Sequence, residues 1–142
     1  MTYDNNENRT LDMPDIALPF FAYGIFKPGQ LAYSKIRNHV YKTEDVEIKY
    51  GMRIRDGVPI LIDDEKDYFR TNGVIMTFRQ GQEEQSYRII SKTLLAKLYE
   101  WKVIEIDGVY VNVVFGVNPK KGSNFIEDSR QRAAMMEGGP VI

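Results

Sequence analysis

The chain has 142 residues, 43% apolar and 12% aromatic, enough for one domain with a sizeable core. Its 19 basic and 20 acidic residues leave a net charge of −1 with no basic stripe, which argues against nucleic acid as a partner. With no cysteine and the single histidine His39, disulfides, thiolate metal sites, a cysteine nucleophile and a histidine-based metal site or triad are set aside.

The opening "MTYDNNENRTLDMPD", residues 1–15, is polar and acid-rich and reads as a flexible lead-in. It has neither the basic start nor the apolar stretch of a signal peptide. No apolar run approaches membrane-spanning length, so a cytoplasmic protein with no membrane partner is expected. A strand is predicted over 18–23, running into a loop marked by Gly24, Pro28 and Gly29. "QLAYSKIRNHV", 30–40, predicts a short helix with Leu31, Ile36 and Val40 facing the core. "DVEIKYGMRIRDG" alternates at Val46, Ile48, Tyr50, Met52 and Ile54, the period of a half-buried strand, and stops at an Asp56-Gly57 turn. "VPILID" is a short apolar strand that Pro59 pushes toward an edge or bulge.

"TNGVIMTFRQ" predicts another strand with Asn72-Gly73 at its mouth, and "EQSYRIIS" either extends it or opens the next element. A helix is expected over 91–101, with Ser91 as N-cap and Leu94, Leu95 and Leu98 as its apolar stripe. Asp107-Gly108 makes a turn, and "VYVNVVFGV" is strongly strand-forming. "FIEDSRQRAAMM", 125–136, predicts a terminal helix. The domain layout is a lead-in over 1–15, one domain over 16–122 and an extension over 123–142. The expected class is α+β, a small mixed-sheet β-barrel with flanking helices, because closure removes the exposed edges of many short strands.

At "FFAYGIFKPGQ" the sequence resembles the γ-glutamylcyclotransferase-like family, which opens with a strand running into Y-G-[ST]-L-[KR]-x-G. Tyr23, Gly24, Lys27 and Gly29 match; Phe26 takes the Leu position and Ile25 replaces the small hydroxyl residue. "DGVPILID", "TNGVIMTF", "LLAKLYEWK" and "GVYVNVVFGV" follow in the order of the family's later elements, so the resemblance spans roughly 18–117. The departures are as specific. Lys102 stands where the family carries its catalytic Glu, Val74 where it carries an acidic residue, and Asn112 where it carries an Arg.

The resemblance implies a reaction in which the α-amine of a γ-glutamyl compound attacks its own γ-carbonyl, giving 5-oxoproline and a free amine. Folding the glutamyl chain back is a problem of proximity, worth about 7–11 kcal/mol when solved. It implies Tyr23, Gly24, Ile25 and Phe26 as the substrate-binding loop, their backbone N–H groups holding the carboxylate of a small molecule, with Tyr110 beginning the strand beside the site. No cofactor and no metal is implied. A carboxylate must take the ammonium proton and return it to the leaving amine. With lysine at 102, Glu105 and Glu100 are the carboxylates from which that base could be recruited. Two functions stand open: binding of a small γ-glutamyl or amino-acid-like ligand with cyclisation, or a non-catalytic ligand-binding or protein-interaction domain.

Overall fold

The computed structural model describes residues 8–117 and 123–125. Among them are eight strands, β1 (Phe20–Ala22), β2 (Val40–Ile48), β3 (Tyr50–Arg55), β4 (Val58–Glu65), β5 (Thr71–Phe78), β6 (Tyr99–Ile106), β7 (Val109–Gly116) and β8 (Ser123–Phe125), and one α-helix, α1 (Glu83–Thr93). They form two sheets, five strands in the order β2-β5-β1-β7-β6 and three in the order β4-β3-β8. The larger sheet is mixed: β1 runs antiparallel to β5 and parallel to β7.

Alternation sorts the larger sheet into two faces. Phe20, Ala22, Met76, Phe78 and Val114 pack against Tyr87, Ile90 and Leu94 from α1 and the residue that caps it. Phe21, Tyr23, Ile75, Val111, Val113 and Phe115 pack on the other side with Leu61 of β4. The layers are therefore helix, five-stranded sheet, three-stranded sheet. Each large apolar side chain fully buried between them contributes about 1.5–3 kcal/mol.

The mixed α+β class is as expected, but the sheets are not closed into a barrel. Only Lys49 separates β2 from β3, and there the chain leaves one sheet for the other. Thr71 Oγ1 donates to the Tyr50 carbonyl at 2.8 Å and pins that corner. The open edges are protected instead of joined. Edge strand β2 carries exposed Lys42, Glu44, Asp45 and Glu47, and edge strand β4 carries Pro59.

The helix lies one element earlier than expected. Tyr87, Ile90, Ser91 and Leu94 make its buried stripe, and Glu83 and Glu84 occupy its first turn. Ser91 is no N-cap: its hydroxyl accepts from Trp101 Nε1 at 3.2 Å and donates to the Asp12 carbonyl at 3.3 Å. Residues 99–106, with β-branched Val103, Ile104 and Ile106, are a strand. The expected helix over 30–40 is a pair of 3₁₀ turns, Tyr33–Lys35 and Arg37–His39, with Ile36 buried and Leu31 exposed. Asp56-Gly57 and Asp107-Gly108 turn their hairpins with all four residues at positive φ.

Residues 9–12 of the expected lead-in lie against the end of α1. The Leu11 N–H donates to the carbonyls of Ser91 and Leu94, and the Ala96 N–H to that of Arg9. In the expected C-terminal extension, Ser123–Phe125 pairs with β3; the terminal helix expected at 125–136 lies, beyond Phe125, outside the described residues.

Candidate functional site

The family-like loop leaves β1 through a 3₁₀ turn, Gly24–Phe26, closed by Phe26 N–H on the Tyr23 carbonyl and Lys27 N–H on the Gly24 carbonyl. Those two donors are used. The N–H groups of Gly24 and Ile25 open the turn and have no acceptor inside it. Gly24 sits at φ +61°, and a Cβ there would touch Pro59 Cγ at 3.4 Å, so glycine fits both the backbone and the approach of β4. The Ala32 N–H donates to the Ile25 carbonyl at 2.8 Å and folds the following segment back onto the turn.

Beside this turn is a shallow apolar cleft, open at its mouth, whose own space of about 20 Å³ holds little more than one water. Tyr23, Ile25 and Phe26 line one side, and Val58 and Pro59 of β4 another. Phe20 and Val114 come from the five-stranded sheet, and Leu94 and Tyr99 complete the wall. No charged side chain is among them. The one buried hydroxyl, that of Tyr23, is already engaged: it donates to the Val114 carbonyl at 2.6 Å and accepts from the Leu61 N–H at 3.0 Å. Burial pushes its phenol well above the ordinary tyrosine range.

Behind Tyr99 lies a buried cation that sequence reasoning did not single out. Arg55 is 5% exposed and donates to the carbonyls of Leu98 at 2.6 Å and Val117 at 2.5 Å. Its guanidinium carbon stands 5.4 Å from the centre of the Tyr99 ring. It thereby fixes the ring that walls the cleft. In the sequence its only signal is the alternation of β3, which places Arg55 opposite Ile54 but gives no hint of its carbonyl partners.

The structure does not bring the candidate carboxylates to this loop. Glu105 faces Tyr110 across the β6–β7 ladder, and both are exposed. Tyr110 and the cleft residue Val114 are four residues apart on β7, about 13 Å at strand rise. Glu100 is close along the chain, since Tyr99 lines the cleft, but successive strand residues point to opposite faces. Its carboxylate lies 3.7 Å from Lys102 Nζ, which also meets Asp63 of β4 at 3.2 Å. The Asp63 hydrogen bond and charge, then Glu100, raise the lysine's pKa. Lys102 is thus a protonated ion-pair partner on the face away from the cleft. On a helix, positions 100 and 102 would diverge; on this strand they share a face.

No protein-family model matches the chain, and no curated protein matches it in sequence. In three dimensions it is similar to the crystal structure of the uncharacterized protein PH0828 from Pyrococcus horikoshii, with a TM-score of 0.58 over 87% of this chain and 99% of that one. At 9% sequence identity, that likeness is one of fold. Among the described residues no helix is long and apolar enough to cross a membrane.

Proposed function

We propose that the chain is a γ-glutamylcyclotransferase-like domain that binds a small molecule by its apolar edge at the mouth of the cleft beside Tyr23–Phe26, and does not cyclise γ-glutamyl compounds. The resemblance of the opening loop supports the family reading, and the fold likeness is compatible with it. One observation carries the functional reading: among the described residues, the lining of the cleft contains no carboxylate. The cyclisation needs a base within about 2.6–3.2 Å of the attacking amine, directly or through one water. Tyr23 cannot substitute, because burial holds its phenol protonated and both of its hydrogen bonds are committed.

The test is a titration of the ¹⁵N-labelled chain with toluene, followed by amide chemical shifts. The reading predicts saturable shifts at Ile25, Phe26, Val58 and Tyr99, reduced by a cleft-filling Leu94→Phe substitution. Shifts scattered over the surface, or none at the solubility limit of toluene, overturn it.

A further inference from the structure

The five-stranded sheet ends at β6. Its ladder with β7 closes at Ile106↔Val109 around the Asp107-Gly108 turn, so the even-numbered residues of β6 spend their main-chain groups on β7. The odd-numbered residues point theirs outward. Two bonds agree with that alternation. The Val117 N–H donates to the Leu98 carbonyl at 2.9 Å, and Asn112, the residue opposite Val103, turns its N–H away to the Pro19 carbonyl at 2.8 Å. At one end the Tyr99 N–H is taken by the Leu95 carbonyl. Trp101, Val103 and Glu105 remain, and among the described residues their outward N–H and C=O groups have no main-chain partner.

The edges at β2 and β4 are protected by charges and by Pro59, whereas β6 carries a valine at the centre of its open stretch. Val103 is 51% exposed, and Tyr110, its diagonal neighbour on the same face, is 57% exposed. An edge with free main-chain groups and an apolar centre is a template for a further strand.

The stretch is its own complement. Laid antiparallel on a second copy with Val103 opposite the partner's Val103, Trp101 falls opposite the partner's Glu105, and Glu105 opposite the partner's Trp101. Every outward group then meets a donor or an acceptor. Pairing Val103 with the partner's Trp101 instead sets Glu105 against a tyrosine whose N–H is committed, and pairing it with the partner's Glu105 sets Trp101 against the turn. In the centred register no like charges stand directly opposite: Lys102 faces the partner's Ile104, and Glu100 faces the partner's Ile106. Lys102 meets the partner's Lys102 only diagonally and is already paired with Asp63 and Glu100. The partner's Asp107 falls opposite Tyr99, beside a groove with about 280 Å³ of its own space that Tyr99 and Trp101 help to line, so the turn has room.

We propose that β6 is the interface of a symmetric homodimer, in which the five-stranded sheets of two copies join edge to edge by antiparallel pairing centred on Val103. This goes beyond the reading of the cleft and does not depend on it.

The pairing is short, so the dimer belongs to the weak, reversible class that buries less than about 1,200 Å². Sedimentation of the full chain between about 10 μM and about 1 mM should show a monomer–dimer equilibrium. Over the same range the amides of Trp101, Val103 and Glu105 should gain protection from hydrogen exchange. Position 103 meets itself across the twofold axis. Val103→Lys and Val103→Glu should therefore each weaken dimerisation by about fivefold or more, and an equimolar mixture of the two should associate more tightly than either alone. Val103 is half-exposed, so both variants should keep the fold, which urea unfolding checks. A chain that stays monomeric at the top of the concentration range overturns the proposal. A dimer that neither charge weakens, or that the mixture fails to restore, overturns this interface. Protection of the three amides that does not change with concentration also overturns it, because the edge is then covered within one chain.

Discussion

Replacing Tyr23 with phenylalanine removes one oxygen atom from the junction of the two sheets. That hydroxyl donates to the carbonyl of Val114 in β7 and accepts the N–H of Leu61 in β4. Phenylalanine keeps the ring, so the packing against Phe21 at 6.2 Å between centroids is retained. What is lost is the partner of a donor on Leu61, a residue with 0% exposure. A buried donor left unsatisfied costs about 1–3 kcal/mol, and the weakened Val114 acceptor adds about 1 kcal/mol. Tyr23→Phe should therefore destabilise the fold by about 2–4 kcal/mol in urea unfolding near neutral pH. The variant should also respond less to alkali. A phenol whose folded value is raised contributes its full stability below the ordinary tyrosine value of about 10, and loses it as pH rises above that value, by about 1.4 kcal/mol per pH unit. A change within about 0.5 kcal/mol at neutral pH would mean that the hydroxyl does not join the sheets.

Tyr87 is raised by burial in the same way, so the wild-type chain should lose stability steeply above about pH 10, and Tyr87→Phe should flatten part of that slope in urea titrations. A slope unchanged in the variant would place Tyr87 in solvent. A Cβ on Gly73 would meet the Ala22 carbonyl oxygen and Phe21 Cζ at 2.5 Å, so Gly73→Ala should cost about 3 kcal/mol or more by forcing β1 from β5; a folded variant of native stability would contradict the register. Lys102→Gln breaks only exposed pairs and should shift stability by no more than about 1 kcal/mol, whereas a larger loss would reveal a structural ion cluster. Lys102→Glu should produce no 5-oxoproline, because position 102 faces away from the cleft; release of product by that variant would bring the position into the site.

The β-branched run from Val109 to Val114 makes β7 legible, and the two Asp-Gly turns needed only their left-handed residues. The single strand expected from Val46 to Ile54 is two, because the chain changes sheet at Lys49, a step the period of two does not reveal. The helix was displaced because Leu94, Leu95 and Leu98 imitate a helical stripe, while the true one is interrupted by polar Ser86 and Ser91. Ser86 and Ser91 are buried there because their hydroxyls bond the carbonyls of Gln82 and Asp12. Asn72-Gly73 resembled a turn, but the glycine lies inside β5 to admit the backbone of β1.

The same displacement governs the site. The loop at Tyr23–Phe26 could be found from Gly24, Pro28 and Gly29, since local geometry demands those residues. The position of the carboxylates could not. Whether Glu100 or Lys102 faces the loop depends on whether residues 99–106 repeat every 3.6 residues or every two, and the tertiary ladder with β7 decides that. Arg55, Leu94 and Tyr99 reach the cleft through contacts distant in sequence, which no local pattern announces.

The central claim is that the cleft binds without acid–base chemistry. It is tested most directly by incubating the full chain with γ-glutamyl amino acids and γ-glutamyl amines and measuring 5-oxoproline. Release should be no faster than in buffer alone, because among the described residues the cleft supplies no carboxylate to the attacking amine. Turnover of about 1 per second or faster, the range of ordinary enzymes, would contradict it and require a base that reaches the cleft.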